Sequence, residues 1–352
     1  MKFKKAISII LCLVTAFSVL APASAASGYP KTVSESVRII DGIFELVYNL
    51  ACMANFKRNY ENCIPVCEMP EIEKGFVPQG FCFIDSENLF AVTYYGTNDE
   101  NSIVAFIDAA SGERIKTVKL VYEDGTPCRS HAGGIADIGD SLFISSGKSV
   151  RRLRIADALA ATDYSEAAFC GTLATHMQAS YLCSYENILF VGQYYSFTLD
   201  GAYDTPADQR IYTPSGKRHY AMCEAYDLSD TDAVLKAGEA VPIAAFSMPN
   251  RVQGIAYDGK AFTLSISSGI FAASPLEKYE LKSFESDYVI NLGGNDVPLI
   301  FICKDRLLSK TMQPPMMEGI DCRNGGIAGI FESCADKFSA ALVRTPYICE
   351  LG

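Results

Sequence analysis

The chain has 352 residues, 49% of them hydrophobic, with 41 acidic against 30 basic side chains for a net charge of −11, 13 cysteines and no tryptophan. That composition supports a large buried core and excludes disordered and collagen-like chains. Basic side chains cluster only at Lys2 to Lys5 and at Arg151 to Arg154, too few to neutralise a phosphate backbone, so no nucleic-acid partner is expected.

Residues 1–25 read as a secretory signal peptide. Lysines at positions 2, 4 and 5 precede a mostly apolar run from Ala6 to Leu20, and Pro22-Ala23-Ser24-Ala25 ends in the small-x-small pattern of a cleavage site. At about 15 residues the run falls short of the roughly 20 that a membrane-spanning helix needs. Nothing later is apolar for long enough, so the expectation is a secreted, extracellular monomer with no membrane attachment after cleavage. Export changes the meaning of the cysteines. Cys63 and Cys67, flanking Ile64-Pro65-Val66, form the most plausible local disulfide, whereas Cys82, Cys183, Cys303 and Cys349 lie in apolar strand-like runs where a thiol acts as a small hydrophobe. No CxxC pair and no histidine near Cys63 or Cys67 favours a zinc site.

Residues 26–76 read as an N-terminal helix and linker. Thr32-Val33-Ser34-Glu35 has the form of a capping box, and Val37, Ile40, Phe44, Val47 and Tyr48 follow on one face of an amphipathic helix that runs to about Asn55.

From Val77 the hydrophobic period changes to two, with Gly, Asn, Asp and Ser turns every few residues, an all-β pattern. An internal repeat organises it. The stretch from Gln79 to Tyr95 is echoed from His131 to Ser146, Gln178 to Tyr195, Gln253 to Ser267 and Glu318 to Phe331. Each copy opens on a polar residue followed by small ones, then gives a short strand, a tight turn and a second apolar strand. Third strands are clearest in Ser102 to Gly112, where the apolar run ends in an Asp and a Ser-Gly turn, and in Tyr220 to Asp227. Fourth strands fit at Arg114 to Val121, Ala167 to Leu173, Val241 to Phe246 and Val297 to Cys303. Four strands per unit is the arithmetic of a β-propeller over residues 77–352, and the count favours five blades, with six as the alternative.

These motifs resemble the five- and six-bladed propellers grouped around quinoprotein, lactonase-like and glutamine cyclotransferase domains. The resemblance covers about Val77 to Gly352. It is nearest at Gln79-Gly80, Leu89-Phe90 and the Ile103 to Gly112 strand, which look like the first blade of plant-type glutaminyl cyclotransferases. That family expects Glu-Gly openings in the following blades, whereas this chain has Ala132-Gly133 in the second and reaches Glu-Gly only at Glu318-Gly319.

In a propeller the residue that opens each innermost strand faces the channel mouth. The predicted ligand-binding ring is therefore Gln79, His131, His176 or Gln178, Gln253 and Glu318, a set of hydrogen-bonding groups suited to a small-molecule or peptidic ligand. Glu318 is the candidate catalytic acid or base, with a pKa raised by burial, as a cyclotransferase or lactonase-like reaction requires. His131, His176 and Glu318 are of the types that bind zinc or iron, but their spacing names neither a metal nor any other cofactor. A glycosidase needs two carboxyl groups, and the openings hold only Glu318. Tyr94-Tyr95 and Tyr194-Tyr195 fall at equivalent repeat positions and offer aromatic surface near one rim, and Cys128 lies too close to His131 on a loop to suggest a nucleophilic pair. A binding module is the leading expectation, an enzyme the second and a protein-interaction scaffold the third.

Overall fold

The computed structural model describes residues 28–52, 63–197, 205–238, 240–267, 269–341 and 343–352. The predicted signal peptide therefore lies outside the described residues. Five sheets form the blades of a β-propeller. Blade 1 contains Val77–Ile84, Leu89–Tyr95, Ile103–Asp108 and Arg114–Val121, and blade 2 contains Ile135–Ile138, Ser141–Ser145, Ser149–Arg154 and Thr172–Ala174. Tyr181–Tyr185, Ile188–Gly192, Ala221–Asp227 and Ala244–Met248 build blade 3, and Val252–Tyr257, Ala261–Ile266, Ser274–Glu280 and Leu307–Gln313 build blade 4. In blade 5, Met317–Arg323, Gly326–Phe331 and Tyr347–Leu351 are completed by Cys63–Glu68. The first strand of each blade packs against the first strands of both neighbouring blades, closing a ring around the channel.

Glycine at the inner strands permits that approach. A Cβ on Gly319 would lie 2.4 Å from the Phe81 backbone nitrogen of blade 1, and one on Gly254 would lie 2.5 Å from the Glu318 carbonyl of blade 5. Hydroxyls on the second strands tie neighbouring blades together across the same seam. Thr93 donates to the Ala132 carbonyl at 2.7 Å and Ser265 to the Glu318 carbonyl at 2.7 Å. Between blades the core is apolar, richest between blades 3 and 4, where Phe190 meets Phe262 edge-on at 5.2 Å and Tyr257 at 5.3 Å.

Several expectations change in detail. The linker before Val77 contains a strand: Cys63–Glu68 pairs antiparallel with Tyr347–Leu351, so the propeller begins at Cys63 and is closed by both ends of its sequence. Of the Ala167 to Leu173 segment, Glu166–Ala168 adds in parallel to blade 1, and Thr172–Ala174 is the fourth strand of blade 2. Asn295–Phe301, expected in blade 4, instead joins blade 3 in parallel beside Ala244–Met248, and Leu307–Gln313 takes its place.

Helix α1 spans Glu35–Cys52. Thr32 does not cap it but forms a β-bridge with Ile211, and the Glu35 carboxylate pairs with Arg38 and Arg210. The helix docks through polar contacts as much as apolar ones. Asp41 accepts from the Tyr220 hydroxyl at 2.6 Å and binds Arg218, while Gly42 lies against Phe197; Ile39, Ile40 and Ile43 are exposed.

The Cys63–Cys67 pairing is also corrected. Both residues lie in one extended strand, on the order of 12 Å apart along the chain, beyond the reach of a disulfide. Both are free, as are the buried Cys82, Cys183, Cys303 and Cys349.

Candidate active site at the channel mouth

One end of the channel opens into a cavity of about 320 Å³ lined by Gln79, His131, Gln178, Gln253 and Glu318, all from blade openings. His176 is not among its lining residues. Its Nδ1 lies 3.2 Å from Glu224 Oε1, and its ring packs against Gly293. The set His131, His176 and Glu318 therefore does not converge, and among the described residues no group of three or more His, Cys, Asp or Glu side chains is placed to hold a metal ion.

At the base of the cavity Glu318 meets a second carboxyl that the repeat did not reveal. Glu332 arrives on the 3-10 turn Glu332–Cys334, directly after the second strand of blade 5, and its backbone nitrogen donates to the Met316 carbonyl at 3.0 Å. The Gln79 amide donates to Glu332 Oε2 at 2.9 Å, and the Gln253 amide donates to Glu318 Oε1 at 3.0 Å. Glu318 and Glu332 hydrogen-bond to each other between these two amides. Burial, and after it the neighbouring Glu332, holds the Glu318 carboxyl well above the usual carboxylate range. Burial also raises Glu332, but the bonds from Glu318 and Gln79 and the Lys337 charge oppose it. Burial thus raises both carboxyls, and the pair shares a proton between them. A directly hydrogen-bonded pair lacks the roughly 5 to 10 Å separation with which two carboxyls flank a glycosidic bond.

The rim is aromatic on two sides. Tyr95 stacks on His131 with centroids 4.4 Å apart and accepts a hydrogen bond from Lys337 at 2.7 Å. His131 remains exposed at the rim, where crowding by the channel wall, then the Lys337 charge, lowers its pKa. Across the mouth stands Tyr194, whose pKa is raised by burial and then by Glu318. Only one tyrosine of each predicted pair reaches the rim: Tyr94 is in the core and Tyr195 stacks on Tyr220 at 5.3 Å. Cys128 is fully buried and is not among the lining residues.

The backbone is strained ahead of three inner strands. Ala132, Arg251 and Met316, each just ahead of an inner strand, have φ of 47°, 66° and 63°, a region L-residues seldom occupy. Three blades thus turn into the channel by the same unfavourable step. Further along the channel, burial pushes Asp137 up to about 6 and Asp321 up to about 7; Asp321 also ties blade 5 to blade 1 by accepting the Phe83 N–H at 2.9 Å.

No family model matches the chain, and no curated protein does. Among solved structures it is similar to the glutaminyl cyclase of Myxococcus xanthus, at 10% identity and a TM-score of 0.41 over 85% of this chain and 95% of that one. It is also similar to the tail fiber of Staphylococcus aureus phage P68, at 12% identity and a TM-score of 0.40 over 87% of this chain and 55% of that one. The WD40 domain of Toxoplasma gondii coronin follows at 7% identity and a TM-score of 0.31, over 63% and 47% of the two chains. Such likeness concerns fold and carries no chemistry. The chain is a five-bladed β-propeller, distantly similar in fold to a bacterial glutaminyl cyclase.

Proposed function

We propose that the protein is exported and binds a small or peptidic extracellular ligand at the channel mouth, where Glu318 exchanges a proton with it. The observation that carries this reading is the buried, proton-sharing Glu318–Glu332 pair at the base of an open cavity. A carboxyl pair that shares a proton can give it up and take it back, so the pair can serve both halves of an acyl-transfer or ring-opening step. Gln79 and Gln253 fix the two carboxyls, and the Tyr95, His131 and Tyr194 rim offers flat surface to a ligand. Export is supported by the sequence of residues 1–25.

The test is turnover of peptides with an N-terminal glutamine and of simple lactones, by wild type and by Glu318→Gln. The expected outcome is turnover of one class, lost at least ~100-fold in the variant, with an unchanged melting temperature. Full activity in Glu318→Gln would sink the catalytic assignment. Ligand binding without turnover, abolished by changing Gln79 and Gln253, would instead identify a pure binding module.

A further inference from the structure

Cys63 and Cys349 come from opposite ends of the propeller sequence and meet in blade 5. Pro65 is the direct partner of Cys349 and Cys63 that of Leu351, so the two cysteines are diagonal neighbours on one face of an antiparallel pair. Both belong to the same apolar cluster beneath blades 4 and 5, with Cys349 fully buried and Cys63 half-buried. The two side chains lie near enough that each perturbs the other's thiol, lowering the Cys63 pKa and raising that of Cys349. Cys67 shares the strand with Cys63 but pairs with Ile348 instead and lies against Gly112.

We propose that Cys63 and Cys349 are a cross-linking site: an oxidant of the disulfide class converts them to a disulfide that fastens the first strand of the propeller to its last. Cys63, the more accessible thiol, attacks the oxidant's disulfide as the thiolate and releases one reduced thiol. Cys349 then attacks the mixed disulfide and releases the second. Two protein thiols lose two protons and two electrons, and one oxidant disulfide becomes two thiols. The bond encloses nearly the whole propeller, the arrangement in which a cross-link restricts the unfolded chain most.

The experiment equilibrates the full chain with oxidised and reduced glutathione, counts thiols under denaturing conditions and maps cross-linked peptides by mass spectrometry without reduction. Expected are the loss of two thiols, a linked peptide pair containing Cys63 and Cys349, and a melting temperature about 5 °C higher than in reductant. Cys63→Ser should abolish both the link and the shift, while Cys67→Ser should leave both intact. An unchanged thiol count in wild type, or a linked pair joining other cysteines in place of these two, would overturn the proposal. Peptide mapping of the wild-type chain decides the matter even if a variant folds poorly.

Discussion

Two carboxyls within hydrogen-bonding reach cannot both ionise where water reaches them poorly, and Glu318 and Glu332 resolve the conflict by keeping a proton between them. After burial, the neighbouring Glu332 carboxyl is the next force that raises the Glu318 pKa. Glu332→Gln removes that carboxylate but keeps its shape, so the Glu318 pKa should fall. Carboxyl carbon NMR titration reads this directly, and the alkaline limb of any rate profile should move to lower pH with it. An unmoved titration would show that burial alone holds the proton. The linkage sign follows from the same shift. An acid whose folded pKa lies above its unfolded value binds more protons when folded, so its contribution to stability is present at low pH and is lost as pH rises through the raised pKa. The pair is thus a cost to the fold at neutral pH, as functional carboxyls commonly are. Glu332 was illegible in the sequence because it follows the second strand, outside the repeated opening from which the ring was read. The Glu318 position was legible because Glu318-Gly319 repeats the pattern of Gln79-Gly80 and Gln253-Gly254. His176, two residues before Gln178, belongs to the turn ahead of blade 3, where Glu224 holds it away from the channel.

At the scale of strands, the repeat could be read because each inner strand needs a small residue at one position. Gly319 illustrates the constraint. Gly319→Ala drives a methyl into the Phe81 backbone, which cannot step aside without opening the seam between blades 1 and 5, so a loss of about 2–4 kcal/mol is expected by chemical denaturation. An equally stable variant would mean that the inner ring is looser than its contacts indicate. The outer strands were harder to read. Cys63–Glu68 carries a proline and two exposed apolar side chains, Ile64 and Pro65, and its partner lies at the far end of the chain, so no local pattern marks it as a strand. Asn295–Phe301 has the composition of a fourth strand and becomes an extra one, because parallel pairing with blade 3 depends on where its connections lead. The helix lies where the sequence puts it and Val37 of the expected face packs against the core, but Ile40 is exposed, and polar contacts from Asp41 and Arg38 share in the docking.

The whole molecule is a ring with one seam, and the seam is covered by Cys63–Glu68. A chain begun at Val77 would leave Tyr347–Leu351 as an open edge and blade 5 with three strands. Its melting temperature should fall by roughly 10 °C, with self-association on size exclusion. An unchanged melting temperature and a monomeric profile would show that three strands suffice. The same seam governs the order of events in synthesis. The strand that completes the ring is made before any blade, yet its partner is the last strand of the propeller to be made, so it waits unpaired while the other blades form. Contacts of such long sequence separation close slowly. Until they close, the propeller carries an exposed strand edge on blade 5, which makes the interval before closure the period in which this protein is most open to mispairing with its neighbours.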